Sequence, residues 1–176
     1  MSIQERIKSV IRDMPNFPKP GILFKDITPL LKDAALNRDI TEKLADYWSK
    51  VEIGVIIGIE SRGFLWGNSL AQALGVPFVI ARKRGKLPAD TYTYTYELEY
   101  GSAAIEIHKD AISTGDRVLI HDDLLATGGT AGAVSELVKM AGGQIAGFSF
   151  LLSLGFLNGK KVIQKYSRRI HYLASY

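Results

Sequence analysis

The sequence of 176 residues contains no cysteine, which excludes disulfide bonds and thiolate metal sites. It also contains no long hydrophobic run. The longest, FSFLLSLGFL, has 10 residues, whereas a helix that spans a membrane needs about 20. Neither sign of charge predominates, because 22 lysines and arginines stand against 18 aspartates and glutamates and leave a net charge of +4. That small excess is compatible with an anionic ligand, but it does not by itself indicate nucleic-acid binding.

Signals for export and for a second domain are also missing. Residues 1–15 have no apolar segment of the kind found in secretory signal peptides, and no internal repeat or low-complexity linker divides the chain. A chain of this length fits one compact domain better than two. Its hydrophobic content of 47% and charged content of 23% are typical of globular proteins. We therefore expect a single domain, residues 1–176, in a cytoplasmic protein without membrane association.

The order of apolar segments predicts an α/β fold. Apolar residues at helical spacing indicate one helix in the first dozen residues and another at 36–50, with four side chains on one face: Leu36, Ile40, Leu44 and Tyr47. Further along, short apolar runs typical of buried strands alternate with helical segments: strands at 54–60, 77–83, 117–122 and 145–152, and helices at 64–75 and 130–143. Such alternation is typical of a parallel sheet flanked by helices, which binds ligands at the carboxyl ends of its strands. The segment at 84–116 interrupts the pattern, and we predict a hairpin there.

The segment DDLLATGGT at 122–130, after the third predicted strand, contains the strongest functional signal. Glycines between a strand and a helix let backbone amides approach an anion, and the helix start adds unpaired amides. Such glycines also occur in ordinary strand–helix turns. The carboxylates of Asp122 and Asp123 are either one salt-bridged and one solvated group, or acceptors for sugar hydroxyls. A sugar phosphate would use both halves of the segment, because its diol needs acceptors and its phosphate needs donors.

Residues 118–131, VLIHDDLLATGGTA, resemble the phosphoribosyl pyrophosphate (PRPP) signature of the type I phosphoribosyltransferases. Four other segments resemble the adenine-specific members of that family: residues 17–31, 58–67, 81–88 and 96–101. The resemblance implies an α/β type I phosphoribosyltransferase fold, with a central parallel sheet flanked by helices. It also implies a small hood, built from residues 1–35 and the C-terminal part, and a flexible active-site loop at residues 86–104.

The reaction implied by this resemblance transfers the 5-phosphoribosyl group from PRPP to adenine and gives AMP and pyrophosphate, a step of purine salvage. Two alternatives stay open: a phosphoribosyltransferase for another purine, and a PRPP-sensing regulator of the same fold that binds nucleic acid. The sequence has no appended helix-turn-helix segment or basic arm, which counts against the regulator. Ser153 stands where the family commonly has glutamate, which leaves the strictness of the preference for adenine open.

The resemblance also assigns residues to each part of the substrates. The ribose and its 5-phosphate are expected to contact Asp122, Asp123, Ala126, Thr127, Gly128, Gly129 and Thr130. The pyrophosphate is expected to contact Glu60, Ser61, Arg62, Arg82 and Lys86, with a non-proline cis peptide between Glu60 and Ser61. Adenine is expected to contact the ring of Phe24, the backbone of Leu23 and the side chain of Leu154.

Catalysis would involve three residues of the family pattern, and a fourth would belong to the hood. Arg62 and Lys86 would stabilise charge on the departing pyrophosphate. Glu99 would carry a proton to or from the base, and Tyr100 would help to close the hood over the site. A closed hood would keep water away from the electron-poor sugar that forms during transfer.

Magnesium is the expected cofactor, because pyrophosphate leaves readily only when its charge is neutralised. We expect no dedicated protein site: Mg²⁺ would be held mainly by PRPP, with Asp122 and Asp123 acting indirectly. The three histidines are too scattered along the chain to indicate a metal site. The expected partners are adenine, PRPP, AMP, pyrophosphate and a second copy of the chain in a homodimer, and neither nucleic acid nor a membrane.

Overall fold

The computed structural model describes residues 1–97 and 101–176. Its strands over these ranges are β1 (Arg12–Pro15), β2 (Leu23–Asp26), β3 (Val55–Ile59), β4 (Phe78–Lys83), β5 (Thr91–Glu97), β6 (Ser102–His108), β7 (Arg117–Leu125), β8 (Gln144–Ser153) and β9 (Ile170–Ser175). Its helices are α1 (Ile3–Val10), α2 (Thr28–Lys32), α3 (Ala34–Trp48), α4 (Gly63–Leu74), α5 (Gly129–Met140) and α6 (Gly159–Ile163). A short 3₁₀ turn, Gly155–Leu157, links β8 to α6. The predicted strands and helices are all present, whereas β1, β2, β9, α2 and α6 were not predicted.

Seven of the strands form one sheet in the order β5-β6-β4-β3-β7-β8-β9. β4, β3, β7, β8 and β9 run parallel, whereas β5 and β6 form an antiparallel hairpin at one side. This arrangement confirms the predicted α/β fold and the predicted hairpin. The ends of β3, β4, β7 and β8 meet along one border of the sheet, called here the carboxyl edge, where sheets of this kind bind ligands. β1 and β2 pair with each other outside this sheet.

Helices cover both faces of the sheet, and this explains why its central strands are apolar throughout. All five residues of β3 are buried. Ile57 packs with side chains of α5 in one core cluster, whereas Ile56 packs with side chains of α3 and α4 in the other. A strand that is buried on both faces has no solvent-facing positions, so its sequence is a continuous apolar run.

The buried face of α3 differs at one position from the sequence prediction. Leu36, Ile40 and Leu44 are fully buried as expected, but the fourth buried side chain is Trp48, and Tyr47 is 37% exposed. Trp48 fits because β8 has Gly147 at the contact, where an added β-carbon would lie 2.8 Å from indole Cζ3. A glycine on the facing strand cannot be recognised as the partner of this indole from the helix sequence alone.

None of the helices in the described ranges combines the length and the apolar character that a membrane span requires.

Candidate active site at the carboxyl edge

Residues 126–130, called here the glycine loop, lead from the end of β7 into the first two residues of α5 at the carboxyl edge. Gly128 has a φ of +81° and precedes the first residue of α5, and no described side chain caps that helix. The first amides of α5 are therefore available to a ligand. The loop surrounds a cavity of about 70 Å³, called here the glycine-loop cavity. It is lined by Asp122, Leu124, Leu125, Ala126, Thr127, Gly128, Gly129, Thr130, Ala131 and Phe150. Six of the seven residues predicted for ribose 5-phosphate thus lie together, and Asp123 lines the neighbouring cavity.

The start of α6 supports the glycine loop from behind. A β-carbon added to Gly128 would lie 2.6 Å from the carbonyl oxygen of Gly159. A β-carbon added to Gly159 would overlap the carbonyl oxygen of Ala126 and lie 2.9 Å from the nitrogen of Gly128. The two backbones touch only because both residues lack a side chain. Gly159 was not predicted to belong to the site, because the loop that it contacts lies about 30 residues earlier in the chain and only the fold brings the two together.

Asp122 and Asp123, called here the acidic pair, lie near the end of β7 in different surroundings. Asp122 Oδ1 accepts a hydrogen bond of 2.8 Å from the nitrogen of Asp123. Arg62 Nε lies 3.1 Å from Asp123 Oδ2 as an ion pair, but no described donor makes a hydrogen bond to that oxygen. Asp123 Oδ2 is therefore buried beside the Arg62 cation without a hydrogen bond, and a ligand hydroxyl would reach it only if the groups that cover it moved.

The environment of the acidic pair opposes ionisation. Desolvation raises the pKa of Asp122 well above its usual range, and the neighbouring charge of Asp123 raises it further. Desolvation also raises the pKa of Asp123, although the cation of Arg62 partly offsets the effect. Two carboxylates this close repel each other unless a bound group neutralises them or donates hydrogen bonds to them. The pair is therefore arranged to receive a ligand that supplies cations or hydroxyl donors.

The turn between β3 and α4 contains the predicted non-proline cis peptide between Glu60 and Ser61. The Glu60 carboxylate accepts hydrogen bonds from Lys83 N at 2.8 Å and Arg82 Nη2 at 3.2 Å. Burial acts to raise the pKa of Glu60, but these two hydrogen bonds and the charges of Arg82 and Lys86 lower it overall. The Glu60 side chain thus holds the end of β4.

Close packing brings the start of α4 against the acidic pair. A β-carbon added to Gly63 would lie 2.9 Å from His121 O and 3.0 Å from Asp122 Oδ1. Beside this contact lies a second cavity of about 380 Å³, called here the central cavity. It is lined by Phe24, Glu60, Ser61, Arg62, Lys83, Asp122 and Asp123. Residues predicted separately for the base, the pyrophosphate and the ribose therefore share one cavity. Lys83 was not predicted to belong to it.

A third cavity, of about 370 Å³, lies beside the hairpin formed by β1 and β2 and is called here the hairpin cavity. It is lined by Arg12, Met14, Phe17, Phe24, Asp26, Thr28 and Arg62. The Phe24 ring lies edge to face with Phe17 at a centroid distance of 5.1 Å, and Arg62 Cζ lies 5.1 Å from the Phe24 ring centroid. The cavity combines an aromatic surface with polar groups, as a site for a flat heterocycle requires.

Four other predicted site residues lie outside these three cavities. Leu23 is 50% exposed, and Leu154 is buried with its nitrogen donating to Leu125 O at 2.9 Å, next to the glycine loop. Arg82 is held by Glu60, and its Nη1 also donates to the carbonyl oxygen of Lys86 at 3.2 Å. The Lys86 side chain is exposed.

Glu99 and Tyr100 lie outside the described residues. Their predicted roles as proton carrier and hood residue depend on the family resemblance.

The carboxyl groups of the site have the chemistry that a hydrated magnesium ion requires. Among the described residues, no group of three or more histidine, aspartate or glutamate side chains is arranged to hold a metal ion. Asp122 and Asp123 line the cavities, and their carboxyl groups suit the waters of such an ion, because Mg²⁺ usually keeps several of its waters. His121 is fully buried and hydrogen-bonds Ser149 Oγ through Nδ1 at 3.1 Å. Burial lowers the pKa of His121 to about 3, so its ring is neutral near pH 7.

Comparison with known proteins identifies the family. Residues 26–170 match the model of the phosphoribosyl transferase domain. An adenine phosphoribosyltransferase of Cytophaga hutchinsonii is 48% identical over 174 residues, which are 99% of this chain and 96% of the relative. The crystal structure of adenine phosphoribosyltransferase from Thermoanaerobacter pseudethanolicus is 50% identical, with a TM-score of 0.95 and coverage of 98% of this chain and 99% of that one.

A second crystal structure relates the fold to a bound base. The Saccharomyces cerevisiae adenine phosphoribosyltransferase, complexed with adenine and an imino-altritol bisphosphate, is 40% identical, with a TM-score of 0.89 and coverage of 97% of this chain and 98% of that one. The chain therefore belongs to the phosphoribosyltransferase family and, within it, to the adenine phosphoribosyltransferases.

Proposed function

We propose that the protein transfers the 5-phosphoribosyl group of PRPP to adenine and releases AMP and pyrophosphate. One observation carries the proposal: the three cavities are linked by residues that they share. Asp122 lines both the glycine-loop cavity and the central cavity, and Phe24 and Arg62 line both the central cavity and the hairpin cavity. This order of anion, acidic and aromatic sites corresponds to the order of phosphate, ribose and base in AMP.

The glycine loop would bind the 5-phosphate. The first amides of α5 and the hydroxyls of Thr127 and Thr130 supply hydrogen-bond donors, and the helix start adds a favourable dipole. The acidic pair would accept hydrogen bonds from the ribose hydroxyls, which are neutral donors. Holding both ends of the ribose phosphate fixes its anomeric carbon relative to the base, so that attack becomes a local event.

Charge on the departing pyrophosphate would be stabilised from three directions. Ser61 and Arg62 line the central cavity, and Arg82 and Lys86 would approach from the end of β4. When bound with PRPP, Mg²⁺ supplies charge neutralisation of the phosphate oxygens. The acidic pair would hold its waters without binding the ion directly.

Adenine would occupy the hairpin cavity against the ring of Phe24. The family resemblance adds two contacts from outside that cavity: the backbone of Leu23 would read the amino group, and Leu154 would pack on the other face of the base. Glu99 would carry the proton and Tyr100 would help to close the hood. Arg62 now lies near the Phe24 ring and the acidic pair at once, so the base and the pyrophosphate would meet at this side chain. Ser153, which is 6% exposed, is the family position at which purine preference would differ.

We further propose one domain in which residues 1–35 and the C-terminal part form the hood and residues 86–104 form the active-site loop. Contacts between the chain ends support the hood: Lys8 Nζ and Lys25 Nζ lie 4.7 Å and 3.9 Å from the ring centroid of Tyr176. The protein would be a cytoplasmic homodimer that binds neither nucleic acid nor membranes. Analytical ultracentrifugation tests the oligomeric state.

Pyrophosphate release tests the proposed reaction. The purified protein is mixed with PRPP and Mg²⁺, and adenine, hypoxanthine, guanine, xanthine, uracil or orotate is added separately. We expect release with adenine, together with AMP formation. Release with an oxo-purine alone would keep the PRPP site and overturn the assignment of the base. PRPP binding without release for any base would favour a regulator, which a salt-dependent nucleic-acid binding assay then tests.

A further inference from the structure

We infer that Tyr96, on the hairpin strand β5, is a positioning residue for the 5-phosphate and acts through the hydroxyl of Thr130. The inference rests on the proposed function, because it takes the glycine loop as the site of that phosphate. This role gives the β5–β6 hairpin an effect on substrate affinity that is separate from closing the site.

Contacts between β5 and the glycine loop carry the inference. Tyr96 Oη lies 3.2 Å from Thr130 Oγ1. The Tyr96 ring also covers the loop backbone, since a β-carbon added to Gly129 would lie 3.9 Å from Tyr96 Cδ2. The side chain is partly buried and packs against the core that includes α5. The outermost strand of the sheet thus reaches a hydroxyl at the second position of the helix whose start faces the anion cavity.

The direction of this hydrogen bond follows from the number of hydrogens available. Each hydroxyl has one hydrogen and can also accept, whereas a phosphate oxygen only accepts. If Thr130 donated to Tyr96, its hydrogen would be directed away from the loop. If Tyr96 donates to Thr130, the Thr130 hydrogen remains for the phosphate, and both hydrogens are used in a chain that ends on the anion. With phosphate bound, the second arrangement is favoured, because successive hydrogen bonds strengthen one another.

The hairpin offers a matched control for this side chain. Tyr94 is two residues earlier on β5, so it lies on the same face, and it packs against the same core. Its hydroxyl makes no hydrogen bond to any residue in the two described ranges. Tyr94→Phe and Tyr96→Phe therefore remove the same atom from the same strand face, and only the second removes a contact with the glycine loop.

Calorimetric titration of the full chain with ribose 5-phosphate and, separately, with pyrophosphate and Mg²⁺ tests the inference. We expect Tyr96→Phe to raise the dissociation constant for ribose 5-phosphate about three- to tenfold, the effect of one hydrogen bond. The constant for pyrophosphate should stay within about twofold of wild type, since that ligand would bind at the cis-peptide turn. Tyr94→Phe should change neither constant. A general loosening of the β5–β6 hairpin would instead weaken the binding of both ligands.

A double-mutant cycle with Thr130→Val tests the route of the effect. We expect Tyr96→Phe to have no further effect in the Thr130→Val background. Three results would overturn the inference. Tyr96→Phe could have an equal effect in both backgrounds, it could weaken the binding of both ligands equally, or it could leave the affinity for ribose 5-phosphate unchanged. Wild-type protein that binds ribose 5-phosphate but turns over no base would refute the proposed reaction and leave these binding outcomes decisive. Wild-type protein that does not bind ribose 5-phosphate would overturn the inference itself.

Discussion

Gly159→Ala tests whether the backbone contact behind the glycine loop is required for binding. The added β-carbon would overlap the carbonyl oxygen of Ala126 and lie 2.9 Å from Gly128 N and 3.0 Å from Ala126 C. β-Carbons essentially never lie closer than 3.0 Å to another heavy atom. All three obstructing atoms belong to the backbone, so no side chain can rotate away. Either the glycine loop or the start of α6 must move.

Insertion of one methyl group into a closely packed contact costs about 1–3 kcal/mol. If the loop moves, this cost appears in binding, and the dissociation constant for ribose 5-phosphate rises about fivefold to a hundredfold. If α6 moves, the cost appears in stability, and the melting temperature falls by about 2–10 °C. Because both losses have the same cause, the lost free energy of binding and the lost free energy of unfolding should together amount to about 1–3 kcal/mol.

Calorimetric titration and thermal unfolding measure the two terms on the same samples. Gly132→Ala is the matched control, because Gly132 lies in α5 and its β-carbon would make ordinary contacts of 3.7 Å with Val162 and 3.9 Å with Tyr166. Alanine in a helix interior should stabilise this control by about 0.5–1 kcal/mol. Gly159→Ala protein with wild-type affinity and wild-type melting temperature would refute the packing argument.

Three further predictions concern charge and the base. Asp122→Asn should raise the melting temperature by about 2–4 °C while weakening PRPP binding, because it removes a buried, repelled carboxylate. A carboxyl whose pKa is raised by folding loses stability as pH rises, so this gain should be larger at pH 8 than at pH 5. Burial lowers the pKa of His121 to about 3, so between pH 7 and pH 5 this side chain takes up a proton only in the unfolded chain. The free energy of unfolding of the wild type should therefore fall by about 2 kcal/mol over that range. The fall should be absent in His121→Asn. Phe24→Ala should raise KM for adenine about tenfold through lost stacking, whereas Phe24→Trp should stay within about threefold.

Each of these predictions has a contrary outcome. Equal stability of Asp122→Asn and wild type at both pH values would mean that the ligand-free pair is already neutralised. Urea unfolding curves of His121→Asn that lose as much stability on acidification as wild type would place the acid sensitivity elsewhere. Equal rises in KM for adenine and PRPP in Phe24→Ala would indicate a general disturbance of the site in place of lost stacking.

The parts of the site that the sequence predicts are those whose residues are neighbours in the chain. The segment from Asp122 to Thr130 contains the strand end, both carboxylates and the loop, so its local pattern already specifies one cavity. The alternation of strands and helices then predicts that this segment and the turn at Glu60 lie along the same edge. Local pattern and topology together therefore account for the anion and acidic parts of the site.

The hairpin cavity depends on pairing that no local pattern specifies. β1 and β2 are four residues each, too short for alternation to indicate a strand, and their register sets Met14 opposite Phe24. That register and the position of Arg62 at the start of α4 determine which side chains line this cavity. Without the family resemblance, Phe24 is one of several aromatic residues that would fit equally well in a core.

The supporting contacts of the site are tertiary in the strict sense, and this is why they escape sequence analysis. Gly159 matters only because the chain returns to the glycine loop after β8, and Tyr96 only because the hairpin register directs its hydroxyl to Thr130. A lone glycine after an asparagine and a tyrosine in an alternating strand are both ordinary local features. Their contribution lies in fixing residues that do carry a signal, so removal of either should weaken the 5-phosphate contact while every residue of the signature stays in place.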